Sequence, residues 1–179
     1  MESFGLTCSR LKSAGCLLAV CFLSIFFTTC RVSYSLNGAS IPPEAKTVSV
    51  TLFQNYASLA PASISQSFTE ALRTKLSSQS RLTLIPKGGD LAFEGSITAY
   101  STLPVAIQST DQAAQTRLTV TVNVKYNCAF DEKRNFEQSF SRFADYPSNQ
   151  SLTAVENRLI EEINDQLVQD IFNKALNNW

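Results

Sequence analysis

The sequence predicts an α+β fold, a two-layer sandwich in which a mostly antiparallel four- to five-stranded sheet carries two helices packed on one face. Three observations lead there. TRLTVTVNVKYNC alternates apolar and polar residues along its whole length, the period of a half-buried strand. The segments following Pro61 and Ser151 instead bring apolar residues back at helical spacing. Short turns rich in glycine or charge separate the later strands, as antiparallel hairpins require. At 179 residues with 44% hydrophobic content, the chain has the length and composition of one globular domain.

The first segment, 1–29, reads as a signal peptide. Arg10 and Lys12 precede an apolar run over residues 16–27, well short of the roughly 20 residues that cross a bilayer. A retained single-pass anchor is the competing reading of this run. Cys30 stands directly behind it, where a bacterial lipoprotein carries its diacylglyceryl group, with Thr29 at the place usually held by Gly, Ala or Ser. Residues 30–45 then form a lipidated cysteine and extended tether, since Gly38, Pro42 and Pro43 interrupt any period. Loss of the signal leaves two cysteines. With Cys30 acylated, Cys128 is a small buried residue; without acylation, a Cys30 to Cys128 disulfide is the alternative in an oxidising compartment.

The single domain, 46–179, begins with KTVSVTLFQN, where Val48, Val50 and Leu52 alternate with Thr and Ser. Ser63 and Gln66 have capping-box spacing, and Ile64, Phe68, Leu72 and Leu76 form the apolar row of a helix reaching about Ser80. RLTLIP is a short strand and KGGD a turn. DLAFEGSITAY is a longer strand with Leu91, Phe93, Ile97 and Ala99 on one side, extended by residues 103–107 beyond Pro104. Residues 108–116 make a polar hairpin tip. Leu118, Val120, Val122, Val124, Tyr126 and Cys128 then face one way, and DEKRN turns the chain into FEQSFSRFADY. There Phe143 breaks phase with Phe136 and Phe140, which predicts a bulge or strand end. Thr153 and Glu156 have capping-box spacing before a helix of about 25 residues, whose exposed side carries Glu161, Glu162, Asp165 and Asp170. The sheet face away from the helices is rich in Thr and Ser, among them Thr47, Ser49, Thr51, Thr119 and Thr121.

Several functions are excluded by composition. Fifteen basic residues balance fifteen acidic ones, without a basic block, so the footprint of a nucleic-acid binder is missing. Histidine does not occur, which removes the Ser-His-Asp and Cys-His arrangements and the commonest metal ligand. The carboxylates fall on a helix exterior and in turns rather than converging, which points away from an enzyme using paired acids.

SYSLNGASIPPEAKTVSVTLFQNYA, SQSFTEALRTKL and DLAFEGSITAY, coming after the cysteine, resemble the LptE family of lipopolysaccharide-assembly lipoproteins in its Bacteroidetes form. The likeness follows the mature chain in element order, with LAFEGSITAY and GASIPPEAKT its most distinctive pieces. It implies a protein that is not an enzyme and needs no cofactor, lipid-anchored at the periplasmic face of the outer membrane. It also implies that the domain plugs an LptD-like β-barrel, assists its assembly and helps lipopolysaccharide reach the surface. Contacts to lipopolysaccharide phosphates call for cations, and Arg117, Lys125 and Lys87 are the candidates, against a plain role as solubilising charges. The alternative function is a periplasmic lipoprotein serving another envelope complex, such as a lipid transporter or a wall synthase.

Overall fold

The computed structural model describes residues 41–105 and 114–176. The predicted signal peptide, Cys30, the tether up to residue 40 and most of the hairpin tip lie outside them. Six strands and two helices make up the domain: β1 (Thr47–Val50), β2 (Gln54–Asn55), α1 (Ile64–Gln79), β3 (Thr83–Ile85), β4 (Leu91–Val105), β5 (Gln115–Cys128), β6 (Phe136–Pro147) and α2 (Leu152–Leu176), with a 3-10 turn at Glu132–Arg134. The fold is α+β, as expected, but the sheet is mixed and six-stranded. Its order is β3-β1-β4-β5-β6, with β2 also on β4.

The antiparallel part is β4, β5 and β6, paired over nearly their full lengths. The parallel part comes from β1, which lies between β3 and β4 and runs parallel to both. α1 makes the crossover from β1 and β2 to β3. A parallel neighbour requires such a connection, because a tight turn reverses direction.

The expected single first strand divides in two. Phe53 N donates to the buried Thr69 Oγ1 of α1 at 3.1 Å, and Arg73 Nη2 donates to Val50 O at 2.8 Å. These bonds draw the backbone between β1 and β2 toward the helix. The phase shifts by one residue, so Phe53 is fully buried and Leu52, expected in the core, is 45% exposed.

A second phase change occurs in β4, where the register with β5 slips between Ile97 and Ala99. The extra residue, Thr98, puts Tyr100 in the core and leaves Ala99 exposed, reversing the expectation for Ala99. β6 has no such irregularity. Phe143 is out of phase because it stands on the opposite face, and the strand continues regularly to Pro147. Neither expected capping box forms. Ser63 is already helical and its side chain caps nothing, while α2 begins one residue before Thr153.

Both helices cover the same sheet face, α1 over β1 to β3 and α2 over β5 and β6, and they pack on each other. Ile64, Phe68, Leu72 and Leu76 from α1 meet Leu159, Ile163, Leu167 and Ile171 from α2 in one core, all of them fully enclosed. Each such side chain contributes about 1.5–3 kcal/mol when buried. Cys128 is a buried free thiol, in phase with this core as its alternation predicts.

Candidate functional site

The face of β4, β5 and β6 that neither α1 nor α2 covers is the natural candidate surface. Residues opposite one another across the three strands form rows, and the register sets Ser96, Asn123 and Ser139 in one row and Ala99, Thr121 and Ser141 in the next. Thr121 Oγ1 donates to Ser141 Oγ at 3.1 Å. The middle of this face is thus polar and uncharged. It is smaller than the sequence suggests, because Thr47 and Ser49 do not belong to it. The KGGD turn closes over them: Ser49 Oγ accepts from Gly89 N at 3.2 Å, and Ser49 is buried. A Cβ on Gly89 would come within 2.5 Å of Ser49 N, so only glycine lets the turn lie so close.

Asp90 completes that closure. Its Oδ2 accepts from Lys46 N, Thr47 N and Thr47 Oγ1 at 2.8 to 2.9 Å. Hydrogen bonding from the Lys46 backbone, then from Thr47, holds the carboxyl below the usual range.

Charges sit at the two ends of the open face. Toward the hairpin tip, Arg117 makes a two-pronged bond to Asp145, Nε to Oδ1 at 2.7 Å and Nη2 to Oδ2 at 2.8 Å. Its guanidinium also lies 3.6 Å from the centre of the Phe143 ring. The Arg117 hydrogen bonds hold Asp145 below the usual carboxylate range, against a smaller opposing effect of burial. Leu103, 65% exposed, stands beside Arg117 in the same row.

Lys125 lies eight residues further along β5, roughly 27 Å away at strand rise. The register places it between Glu94 and Glu137. Lys87 is exposed in the β3–β4 turn. The structure therefore does not bring the three candidate cations together, and Arg117 is already engaged. Pairing over 28 residues in sequence decides this, and no local pattern signals it.

The helix side supplies contacts that spacing alone did not reveal. Glu156, expected in a capping box, instead accepts from Tyr100 Oη at 2.6 Å and ties β4 to the first turns of α2. Burial, and then this bond, push the Tyr100 hydroxyl well above its usual ionisation range. Asp170, expected on a solvated face, binds Arg142 of β6, with Nη2 to Oδ1 at 2.8 Å. Glu161, Glu162 and Asp165 are exposed as expected. Among the described residues no group of three His, Cys, Asp or Glu side chains is placed to hold a metal ion. None of the described helices is long and apolar enough to cross a membrane.

The model of the LptE lipopolysaccharide-assembly family matches residues 45–175. The chain belongs to the LptE family. That match spans the domain from just before β1 to the end of α2, and it is to the family as a whole. No curated protein matches this LptE-family chain.

Solved structures similar to it include a putative neuraminyllactose-binding hemagglutinin homolog from Helicobacter pylori, at 12% identity and a TM-score of 0.50, covering 79% of this chain and 88% of that one. A minor lipoprotein from Acinetobacter baumannii is similar at 16% identity and a TM-score of 0.48, over 73% and 91% of the two chains. The rare lipoprotein B from Shewanella oneidensis is similar at 13% identity and a TM-score of 0.48, over 72% and 92%. The Helicobacter likeness bears on the fold alone. Family membership makes this chain a protein of lipopolysaccharide assembly.

Proposed function

We propose that this LptE-family chain is an outer-membrane lipoprotein, made with a signal peptide and acylated at Cys30, that plugs an LptD-like β-barrel. In that position it assists assembly of the barrel and helps lipopolysaccharide reach the cell surface, without catalysing a reaction. The observation that carries the reading is the extent of the family match, which coincides with the folded domain almost residue for residue. The uncovered face of β4 to β6 supports it. Its uncharged Ser, Thr and Asn rows suit a hydrated wall, and the lumens of outer-membrane barrels are polar. Burying these side chains against such a wall costs little, since each hydroxyl or amide finds a partner there.

Among the described residues Lys125 and Lys87 make no ion pair with a carboxylate, and they are the cations that this reading offers to lipopolysaccharide phosphates. Arg117 would join them only by giving up Asp145.

The decisive experiment is purification of the tagged chain from outer membranes after cross-linking at the uncovered sheet face. An outer-membrane barrel protein is expected in the product. Capture of an inner-membrane transporter or a wall synthase in its place overturns the reading in favour of an auxiliary role elsewhere. In a second arm, reversing charge at both Arg117 and Lys125 is expected to weaken lipopolysaccharide binding, and unchanged binding removes those residues from the contact.

A further inference from the structure

At the end of the sheet away from the hairpin tip, the 3-10 turn Glu132–Arg134 meets the last turn of α2 around a small cavity of about 160 Å³. Lys133, Arg134, Asn135, Phe136, Lys174 and Ala175 line it. We propose that this cavity binds a phosphate-bearing anion.

The argument starts from charge. The chain is neutral overall, with fifteen charges of each sign, so a cluster of three cations is not a by-product of a basic composition. Among the described residues, none of the three has a carboxylate within 4.0 Å. The nearest acids in sequence are Asp131 and Glu132. Asp131 spends Oδ1 on the Lys133 backbone N–H at 3.1 Å, and Glu132 belongs to the exposed side of the turn.

The plain alternative is that the cations serve the carbonyl end of α2. Arg134 Nη2 does reach Ala175 O, but at 3.5 Å, the long limit of a hydrogen bond. A helix end carries only about half an elementary charge. Asp131 and Glu132 offset part of the three unit charges, but neither lines the cavity, so the three cations face it without a carboxylate among its lining residues.

Size and donor chemistry narrow the class. At about 30 Å³ per water, the cavity holds roughly five water-sized groups, enough for a tetrahedral oxyanion. An Arg fork and two Lys ammonium groups suit phosphate, with Arg giving paired bonds and Lys point charges. Asn135 is held in place by its Oδ1, which accepts from Cys128 N at 2.7 Å. Its Nδ2 donates to no protein group among the described residues and remains for the ligand. Lys174 Nζ lies 5.9 Å from the centre of the Phe136 ring, which steadies it at the rim.

The site is separate from Arg117, which stands near the other end of the 14-residue β5, more than about 30 Å away at strand rise. The chain also enters the domain at the cavity's end, since Val48, Leu91 and Cys128 align across β1, β4 and β5. On the reading that Cys30 carries lipid, a phospholipid headgroup is the natural source of the phosphate. Free phosphate offers the same chemistry.

The test uses the full chain purified in neutral detergent, titrated separately with inorganic phosphate, dihexanoyl phosphatidylglycerol and dihexanoyl phosphatidylcholine. Calorimetry gives affinity, and backbone amide shifts give location. Shifts are expected at residues 133–136 and 173–175. Affinity is expected to fall about tenfold or more in a Lys133→Gln, Lys174→Gln variant and to survive in a Lys133→Arg, Lys174→Arg variant.

Binding of the glycerol lipid together with phosphate supports a headgroup as the source; binding of phosphate alone supports the free ion. No shifts at these residues, affinity unchanged in the glutamine variant, or equal binding of the choline lipid overturns the proposal. Should the glutamine variant fail to fold, salt decides on the parent chain, where site binding weakens as ionic strength rises and salt-insensitive binding overturns it.

Discussion

Replacing Gly95 with alanine should cost this domain a large share of its stability. Gly95 lies opposite Val124 in the β4–β5 ladder, on the core side. A Cβ there would stand 2.6 Å from Phe53 Cε1 and 3.1 Å from Cδ1, and closer still to the backbone oxygen of Asn123. Carbon atoms rest about 3.5–4.0 Å apart, so the ring would have to retreat by about 1 Å. It has nowhere to go: Phe53 is fully buried, meets Phe68 edge to face at 4.9 Å, and is held by its own N–H on Thr69.

Overpacking of this kind costs about 1–3 kcal/mol, and the involvement of a ladder oxygen puts the cost near the top of that range. The unfolded chain returns a few tenths, because alanine is less free than glycine. A net loss of about 2–3 kcal/mol is expected, or a melting temperature lower by roughly 8–12 °C for a domain of this size. Urea unfolding followed by circular dichroism measures it, provided the slope is unchanged. Phe53→Leu should cost less in the Gly95→Ala background than in the parent, by more than about 0.5 kcal/mol. A variant within about 0.5 kcal/mol of the parent, or strictly additive costs, would refute the steric argument.

Tyr100→Phe removes the bond that joins β4 to α2. A loss of about 1 kcal/mol is expected, with faster amide exchange in the first turns of α2; exchange confined to other segments would show that Glu156 is held by something else. Acid should weaken the domain partly through Asp145. Its folded-state carboxyl is held low by Arg117, so its stabilising effect is complete above the ordinary unfolded value near about 3.9 and disappears as pH falls through the lowered folded value. The difference in urea midpoint between the parent and Asp145→Asn should therefore narrow as pH drops below about 4, and a constant difference from neutral pH to acid would disprove the coupling.

The parts of the fold that follow a single local period were legible. β5 keeps strict alternation from Leu118 to Cys128, and every apolar member of that set is buried. The row Ile64, Phe68, Leu72 and Leu76 likewise gives α1 its buried face. What escaped were changes of phase caused by distant partners. Leu52 and Phe53 exchange places because Thr69, sixteen residues further along the chain on α1, takes the Phe53 N–H. Ala99 and Tyr100 exchange because the ladder to β5 gains a residue. Parallel pairing of β1 has no local mark at all.

The site was legible to a similar degree. Family likeness and the polar face could be read from the residues, but the engagement of Arg117 depends on register. The cations of the 3-10 turn looked like an ordinary charged turn, DEKRN, because Lys174 reaches them only when α2 returns along the sheet.

The position of β1 between β3 and β4 has a mechanical consequence. Tension applied to the chain ahead of β1 pulls that strand along its own axis, while the long β4–β5 hairpin extends in the other direction. With the hairpin end held, the bonds on both sides of β1 resist together in shear instead of opening one after another. A domain pulled from its entry point and gripped at its far end is thereby loaded along its strongest direction.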